Sequence, residues 1–196
     1  MRKNGIASAM ISSQVIELSK MEIKRYTKDR ISDVLQFERD LRAEENFWGW
    51  KIDEKYIASV TASFEDPAFA NSLSLLAYMD GKVVGRIDSA KICSRFDGPV
   101  KAYLDWICVI KSYRHKGVAQ MLLKELRRQL KKSGVETLIA LTDSNEASQR
   151  FYRKVPNSEM KDTGAYFHTG RPVYTLCKRR GLHGHASCFT VLRPSG

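Results

Sequence analysis

Tyr113-Arg114-His115-Lys116-Gly117-Val118-Ala119 decides how this chain is read. A strand-like apolar run ends near Val109 on one side of it, and a long amphipathic stretch begins on the other. A strand–loop–helix junction exposes backbone N–H groups that have no intrahelical partner, and the helix dipole adds partial positive charge at the same place. Gly117 lets an anion approach the backbone closely. Arg114 and Lys116 add full charges beside it. The junction therefore reads as an anion site, with phosphate as the natural guest. The plainer alternative is a solvated basic loop leading into a solvated basic helix.

On the C-terminal side, Val118, Leu122, Leu126 and Leu130 recur every four residues, with Ala119 and Leu123 alongside. This spacing predicts a helix that buries one face and stops at Ser133-Gly134. A short strand over 137–141 follows. A further helix then takes Asp143 as N-cap and Glu146 as capping-box partner, and Pro156 ends it. Residues 166–167 and 173–176 read as the last two strands. On the N-terminal side a strand runs from 100 to about 109, after the turn Asp97-Gly98-Pro99. Before it, strands over 73–79 and 82–87 are joined by Asp80-Gly81, a two-residue hairpin signal. Two helices precede these. One spans 31–44, with Val34, Leu35, Phe37 and Leu41 at helical spacing and Asp29 or Ser32 as cap. The other follows Asp53 and carries Tyr56, Ile57, Val60 and Phe64. Residues 21–26 alternate as a strand does. The order is strand, two helices, three strands, helix, strand, helix, two strands, which is a mixed α/β (α+β) domain.

A length of 196 residues suits one domain, and 43% hydrophobic with 28% charged residues excludes disorder. No apolar run reaches the roughly 18–20 residues of a membrane-spanning helix. Residues 1–20 lack any period and are set apart as an N-terminal extension, with Met21 as the expected natural start. The domain then covers 21–178, and 179–196 is a basic tail. The four cysteines, Cys93, Cys108, Cys177 and Cys188, include no C-x-x-C pair. They fit a reduced, intracellular protein, and cytoplasmic localisation is expected. Residues 1–20 make a poor signal peptide.

The net charge is +11. Such an excess serves solubility, a nucleic acid, a membrane surface or a phosphate-bearing ligand. Its placement narrows the choice. Residues 111–132 hold eight bases and one acid, a net +7, and the stretch from Lys178 onward holds four bases and no acid. Residues 29–66 hold ten acids and five bases, a net −5.

The stretch Arg114-His115-Lys116-Gly117-Val118-Ala119 matches the pyrophosphate loop Gln/Arg-x-x-Gly-x-Gly/Ala of the GNAT superfamily of acyl-CoA-dependent N-acetyltransferases, and the chain resembles that family. Tyr103-Leu104-Asp105-Trp106-Ile107-Cys108-Val109 looks like the strand leading into the loop. Asn145-Glu146-Ala147-Ser148-Gln149-Arg150-Phe151-Tyr152 is similar to the family's second signature helix. The resemblance covers roughly 21–178. It implies a central, mostly antiparallel twisted sheet flanked by helices, and acetyl-CoA as co-substrate with no metal.

It also implies roles. Backbone groups of Ile107, Cys108 and Val109 would pair with the pantetheine arm. Arg114, His115, Lys116, Gly117, Val118 and Ala119 would hold the pyrophosphate. Asn145 would hydrogen-bond the cofactor arm, and Tyr152 would protonate the departing thiolate. The seven-residue interval between Asn145 and Tyr152 sets them on one helical face, while Phe151 and Ala147 would face the core. Tyr152 has the alternative of a packing residue. A base must take the amine's proton. Asp105 is the first candidate and Asp88 the second, and either fits equally well as a solvated or paired carboxylate.

The expected acceptor is a small-molecule or peptide amine. The acidic 29–66 stretch suits a cationic one, although solvated helices explain it as well, and Phe47, Trp48 and Trp50 are candidates for an apolar wall. No membrane partner is expected, nucleic acid is disfavoured, and a homodimer is left open. The chain departs from the family where Val155-Pro156-Asn157 replaces a Gly-Phe, which touches the pairing of the last strands. Cys177, His183, His185 and Cys188 could ligate zinc, but their spacing matches no finger and the tail reads better as an extension. Two other classes compete with an enzyme. One is a CoA-binding module without catalysis. The other is a basic nucleic-acid binder, which lacks any recognisable motif here.

Overall fold

The computed structural model describes residues 21–45, 51–93, 95, 100–142, 146–162 and 188–192. In chain order the elements are β1 (Glu22–Arg25), α1 (Ile31–Glu45), α2 (Glu54–Ser63), β2 (Ser72–Met79), β3 (Lys82–Ile92), β4 (Lys101–Val109), α3 (Val118–Lys132), β5 (Thr137–Thr142), α4 (Glu146–Arg153), β6 (Ser158–Asp162) and β7 (Cys188–Leu192). The strands form one sheet in the order β1-β2-β3-β4-β5-β7-β6. Among the described residues only β4 and β5 pair in parallel, and the other pairs are antiparallel. The mixed α/β order read from the sequence and the mostly antiparallel sheet implied by the resemblance are thus observed.

Local chemistry accounts for most element ends. Asp80 and Gly81 both take positive φ, 50° and 77°, as a tight hairpin between right-twisted strands requires. The Asp53 carboxylate accepts from the Tyr56 N–H at 3.0 Å and caps α2. Gly134, at φ 76°, ends α3 in the left-handed conformation.

The sheet carries a core on each face. Val118, Leu122, Leu123, Leu126 and Leu130 of α3 lie against Leu75, Ala77, Val84, Ile87, Leu104 and Val109 of the sheet. On the other face Val34, Phe37 and Leu41 of α1 cover Leu76, Tyr78, Val83 and Cys108. Burying each large side chain of this kind contributes about 1.5–3 kcal/mol. Gly85 sets the height of α3 above the sheet. A Cβ there would lie 3.0 Å from Val118 Cγ1 and 3.1 Å from Leu122 Cδ1.

The last two strands differ from expectation. Residues 166–167 and 173–176 lie outside the described residues, and the strands observed are β6 and β7. Ser158-Glu159-Met160-Lys161-Asp162 is too polar to signal a buried strand, and it sits at the sheet edge, where charge is tolerated. Within the stretch read as a basic tail, residues 188–192 are Cys-Phe-Thr-Val-Leu, an apolar, β-favouring run, and they form β7 between β5 and β6. At the position of the missing Gly-Phe, Asn157 takes φ 57°, a left-handed conformation that Asn tolerates better than most residues.

Candidate active site

The site begins where β4 and β5 part. Their pairing covers Lys101–Leu104 against Thr137–Ala140 and goes no further. Beyond it β4 keeps β3 on one side and β5 keeps β7 on the other. On β4 the parting coincides with a β-bulge. Asp88 faces Trp106 and Ser89 faces Leu104, so Asp105 is the extra residue. Hydrogen-bonding groups alternate along an antiparallel pair. Ile110 donates its N–H to the Val84 carbonyl at 3.0 Å. Counting back, Cys108 also turns its backbone toward β3, while Ile107 and Val109 turn theirs toward the opening. Of the three strand residues expected to meet a pantetheine arm, Ile107 and Val109 thus turn their backbone groups toward the opening and Cys108 turns its toward β3. The buried Cys108 thiol is pushed up to about 11 by burial, against an opposing effect of Arg114. It stays protonated and inert.

After Ile110 the chain makes one 3-10 turn, Lys111–Tyr113, then runs extended at Arg114. His115, at φ 62°, and Gly117, at φ 88°, are both left-handed. Alternation of this kind makes backbone N–H groups converge on a concave anion site. Gly117 is the N-cap of α3 and supplies no capping side chain. The first intrahelical bond runs from the Met121 N–H to the Gly117 carbonyl at 3.0 Å. The N–H groups of Val118 and Ala119 therefore precede the helical ladder and point out of the helix end. Lys116 sits with its ammonium 5.4 Å from the Tyr113 ring centre. The Arg114 side chain does not point at this cradle. Its Nε donates to the Val109 carbonyl at 2.9 Å, and its guanidinium forms a two-pronged ion pair with Glu45, one prong at 2.7 Å. Glu44 beside it accepts from the Ser112 N–H at 3.1 Å and the Ser112 hydroxyl at 2.9 Å.

Tyr152 is buried within the α3-side core and packs edge-on to Phe151, with ring centres 5.1 Å apart. Burial, with a smaller contribution from Tyr103, pushes its phenol up to about 12. Phe151 is half-buried against the same core, whereas Ala147, expected to face inward, is exposed. Asn145 lies outside the described residues, as do Phe47, Trp48 and Trp50. So do Cys177, His183 and His185 of the zinc set. Among the described residues no three His, Cys, Asp or Glu side chains are grouped to hold a metal ion, and no helix is long and apolar enough to cross a membrane.

Asp105 is exposed at the bulge. Asp88 is half-buried, and its carboxylate meets Arg86 Nε at 2.8 Å. Arg86 reaches on to Glu38 at 3.4 Å and lies 4.9 Å from the Tyr26 ring and 5.7 Å from the Trp106 ring. Glu38 is 1% exposed, and its Oε1 accepts from the Tyr56 hydroxyl at 2.8 Å. Its Oε2 is buried without a hydrogen-bond partner among the described residues. Burial raises the Glu38 carboxyl above its ordinary range, with Tyr56 and Arg86 opposing. Sequence reasoning missed this cluster, although Glu38 falls between Val34 and Leu41 on the apolar face of α1 and so carried a signal. The acids of 29–66 are largely engaged in such contacts. Asp33 accepts from the Tyr78 hydroxyl, Asp53 and Asp66 cap helices, and Glu65 pairs with Lys28.

A sheet opened at a β4 bulge, with a left-handed loop and an uncapped helix end beyond it, has the shape and donors that a long anionic ligand needs. Residues 13–155 match the family model for the acetyltransferase (GNAT) family. The chain belongs to that family. This GNAT acyltransferase shares its fold with solved structures of low identity. One is an aminoglycoside acetyltransferase from an uncultured soil metagenomic sample, in complex with sisomicin. It is 16% identical at a TM-score of 0.64, over 76% of this chain and 96% of that one. The PaiA N-acetyltransferase of Thermoplasma acidophilum in complex with coenzyme A is 18% identical at a TM-score of 0.57, over 88% of this chain and 98% of that one. The ribosomal-protein-S18-alanine N-acetyltransferase of Escherichia coli is 16% identical at 0.54, over 90% and 95%. No curated protein matches the GNAT chain in sequence.

Proposed function

We propose that this GNAT protein transfers the acetyl group of acetyl-CoA directly to a primary amine, with both substrates bound at once. One observation carries the reading. The open edge of β4 after the Asp105 bulge leads straight to the left-handed loop and the α3 N-terminus. Ile107, and Val109 through its N–H since its carbonyl already accepts from Arg114, would pair with the amides of a pantetheine arm as an added strand would. The N–H groups at the start of α3 suit the diphosphate. Acetyl-CoA supplies an activated thioester. The neutral amine nitrogen attacks the carbonyl carbon, a C–N bond forms, the C–S bond breaks, and the amine's proton must leave.

Asp105 is the group suited to receive that proton, through water or directly, because it is exposed at the bulge where the sheet opens, whereas Asp88 is half-buried. Tyr152 suits the donor side. A phenol at about 12 remains protonated at working pH, yet is a weaker acid than an ordinary thiol near about 8.5. It therefore serves the departing sulfur chiefly by hydrogen bonding. The inert Cys108 thiol favours direct attack over an acetyl-cysteine route.

An amine panel decides the matter. Polyamines, aminoglycosides and peptides with free α- or ε-amines are each incubated with acetyl-CoA while free thiol is followed. Amine-dependent thiol release is expected for at least one class. Binding of acetyl-CoA with no release for any class would leave only a CoA-binding module.

A further inference from the structure

Glu44 and Glu45 stand at the C-terminal end of α1, where a carboxylate faces the negative end of the helix dipole and costs about 0.3–1 kcal/mol. Their compensating partners lie on another element. Glu44 takes both the N–H and the hydroxyl of Ser112, and Glu45 takes the guanidinium fork of Arg114, whose Nε also holds the Val109 carbonyl. Two acids next to a diphosphate site would repel the ligand if left bare. Here one is neutralised by Arg114 and the other is bound to backbone and hydroxyl donors.

We propose that Glu44 and Glu45 are positioning residues for the CoA diphosphate loop, a proposal that rests on the functional reading above. They hold residues 112–114 so that the left-handed turn at His115 and Gly117 aims the α3 N-terminus at the ligand. Ordering a loop residue costs about 1–2 kcal/mol. A loop tied to α1 at Ser112 and Arg114, and back to Val109, meets part of that cost before ligand arrives, and binding is stronger by the difference. Arg114 then acts as a strut, and the anion is left to the backbone N–H groups. The opposite arrangement, in which Arg114 leaves Glu45 to grip a phosphate, predicts the opposite sign.

The test is calorimetric titration of the full chain with CoA and, separately, with pantetheine, which lacks the diphosphate. Glu45→Gln should weaken CoA binding about tenfold and leave pantetheine binding within about twofold. In turnover, the acetyl-CoA KM should rise while kcat and the amine KM hold. The double variant Glu45→Gln/Arg114→Gln should be no weaker than the worse single variant, because the two residues act as one unit. Should Glu45→Gln fail to melt cooperatively, Glu44→Gln carries the same test with the same split between CoA and pantetheine. Equal or tighter CoA binding by the variant, or an equal loss for pantetheine, overturns the clamp. Wild-type protein that binds CoA beside an indifferent variant removes the clamp alone. Wild-type protein that binds no CoA removes the acetyltransferase reading and the clamp with it.

Discussion

Asp105 and Tyr152 carry the two proton roles of the proposed chemistry, one toward the amine and one toward the departing sulfur. Asp105→Asn should lower turnover most at low pH, where free amine is scarce and a base matters most. A rate ratio to wild type that stays constant with pH would remove Asp105 from proton transfer. Tyr152→Phe should lower kcat about a hundredfold with little change in the acetyl-CoA KM. Its pH dependence has a definite sign. The donor must be protonated, and burial raises its phenol to about 12, so donation persists at every pH below that value. The wild-type profile should therefore show no alkaline fall owing to Tyr152 below about pH 10. A fall near neutral pH that disappears in Tyr152→Phe would contradict this assignment. Legibility at this scale depended on distance along the chain. The loop and the helix that carries Tyr152 could be read because their signatures are contiguous. The partnership of Arg114 with Glu45 could not, because the two are 69 residues apart and no local pattern joins them.

Helix α3 positions the loop only if it lies close to the sheet, and Gly85 allows that approach. Gly→Ala in a strand usually helps slightly by restricting the unfolded chain, by about 0.4–1 kcal/mol. Here the new methyl would meet Val118 and Leu122, which are 1% and 0% exposed and have nowhere to go. Gly85→Ala should therefore destabilise by about 1–3 kcal/mol in urea unfolding and weaken CoA binding, because the end of α3 tilts. A stabilised variant would show that α3 rides above the sheet more loosely than described. The α3 pattern and the Asp80-Gly81 hairpin were legible because helical period and turn chemistry are local. The bulge at Asp105 was not. Nothing in Leu104-Asp105-Trp106 marks an extra residue, which exists only relative to the register of β3.

Over the whole molecule, the charge polarity of the sequence resolves into contact. The basic 111–132 segment and the acidic 29–66 segment meet at Glu44, Glu45, Ser112 and Arg114, where the Arg114–Glu45 ion pair and the Ser112–Glu44 hydrogen bonds join them. The sheet beyond β5 was the part least open to reading, because its order is set by pairing between distant residues. Among the described residues β6 has β7 as its sheet partner, and β7 comes from 188–192. Deleting residues 188–196 should strip the outer edge of β5, leave β6 without a ladder, lower the melting temperature and promote aggregation in size-exclusion chromatography. An unchanged melt with a monodisperse peak would show that β7 is dispensable. The same insertion has a consequence for synthesis. A ribosome delivers β5 and β6 well before the strand that must lie between them. Throughout that interval the nascent chain presents an open β5 edge to its neighbours. Its yield should therefore depend on how quickly residues 163–187 are translated and on whether a chaperone shields the gap.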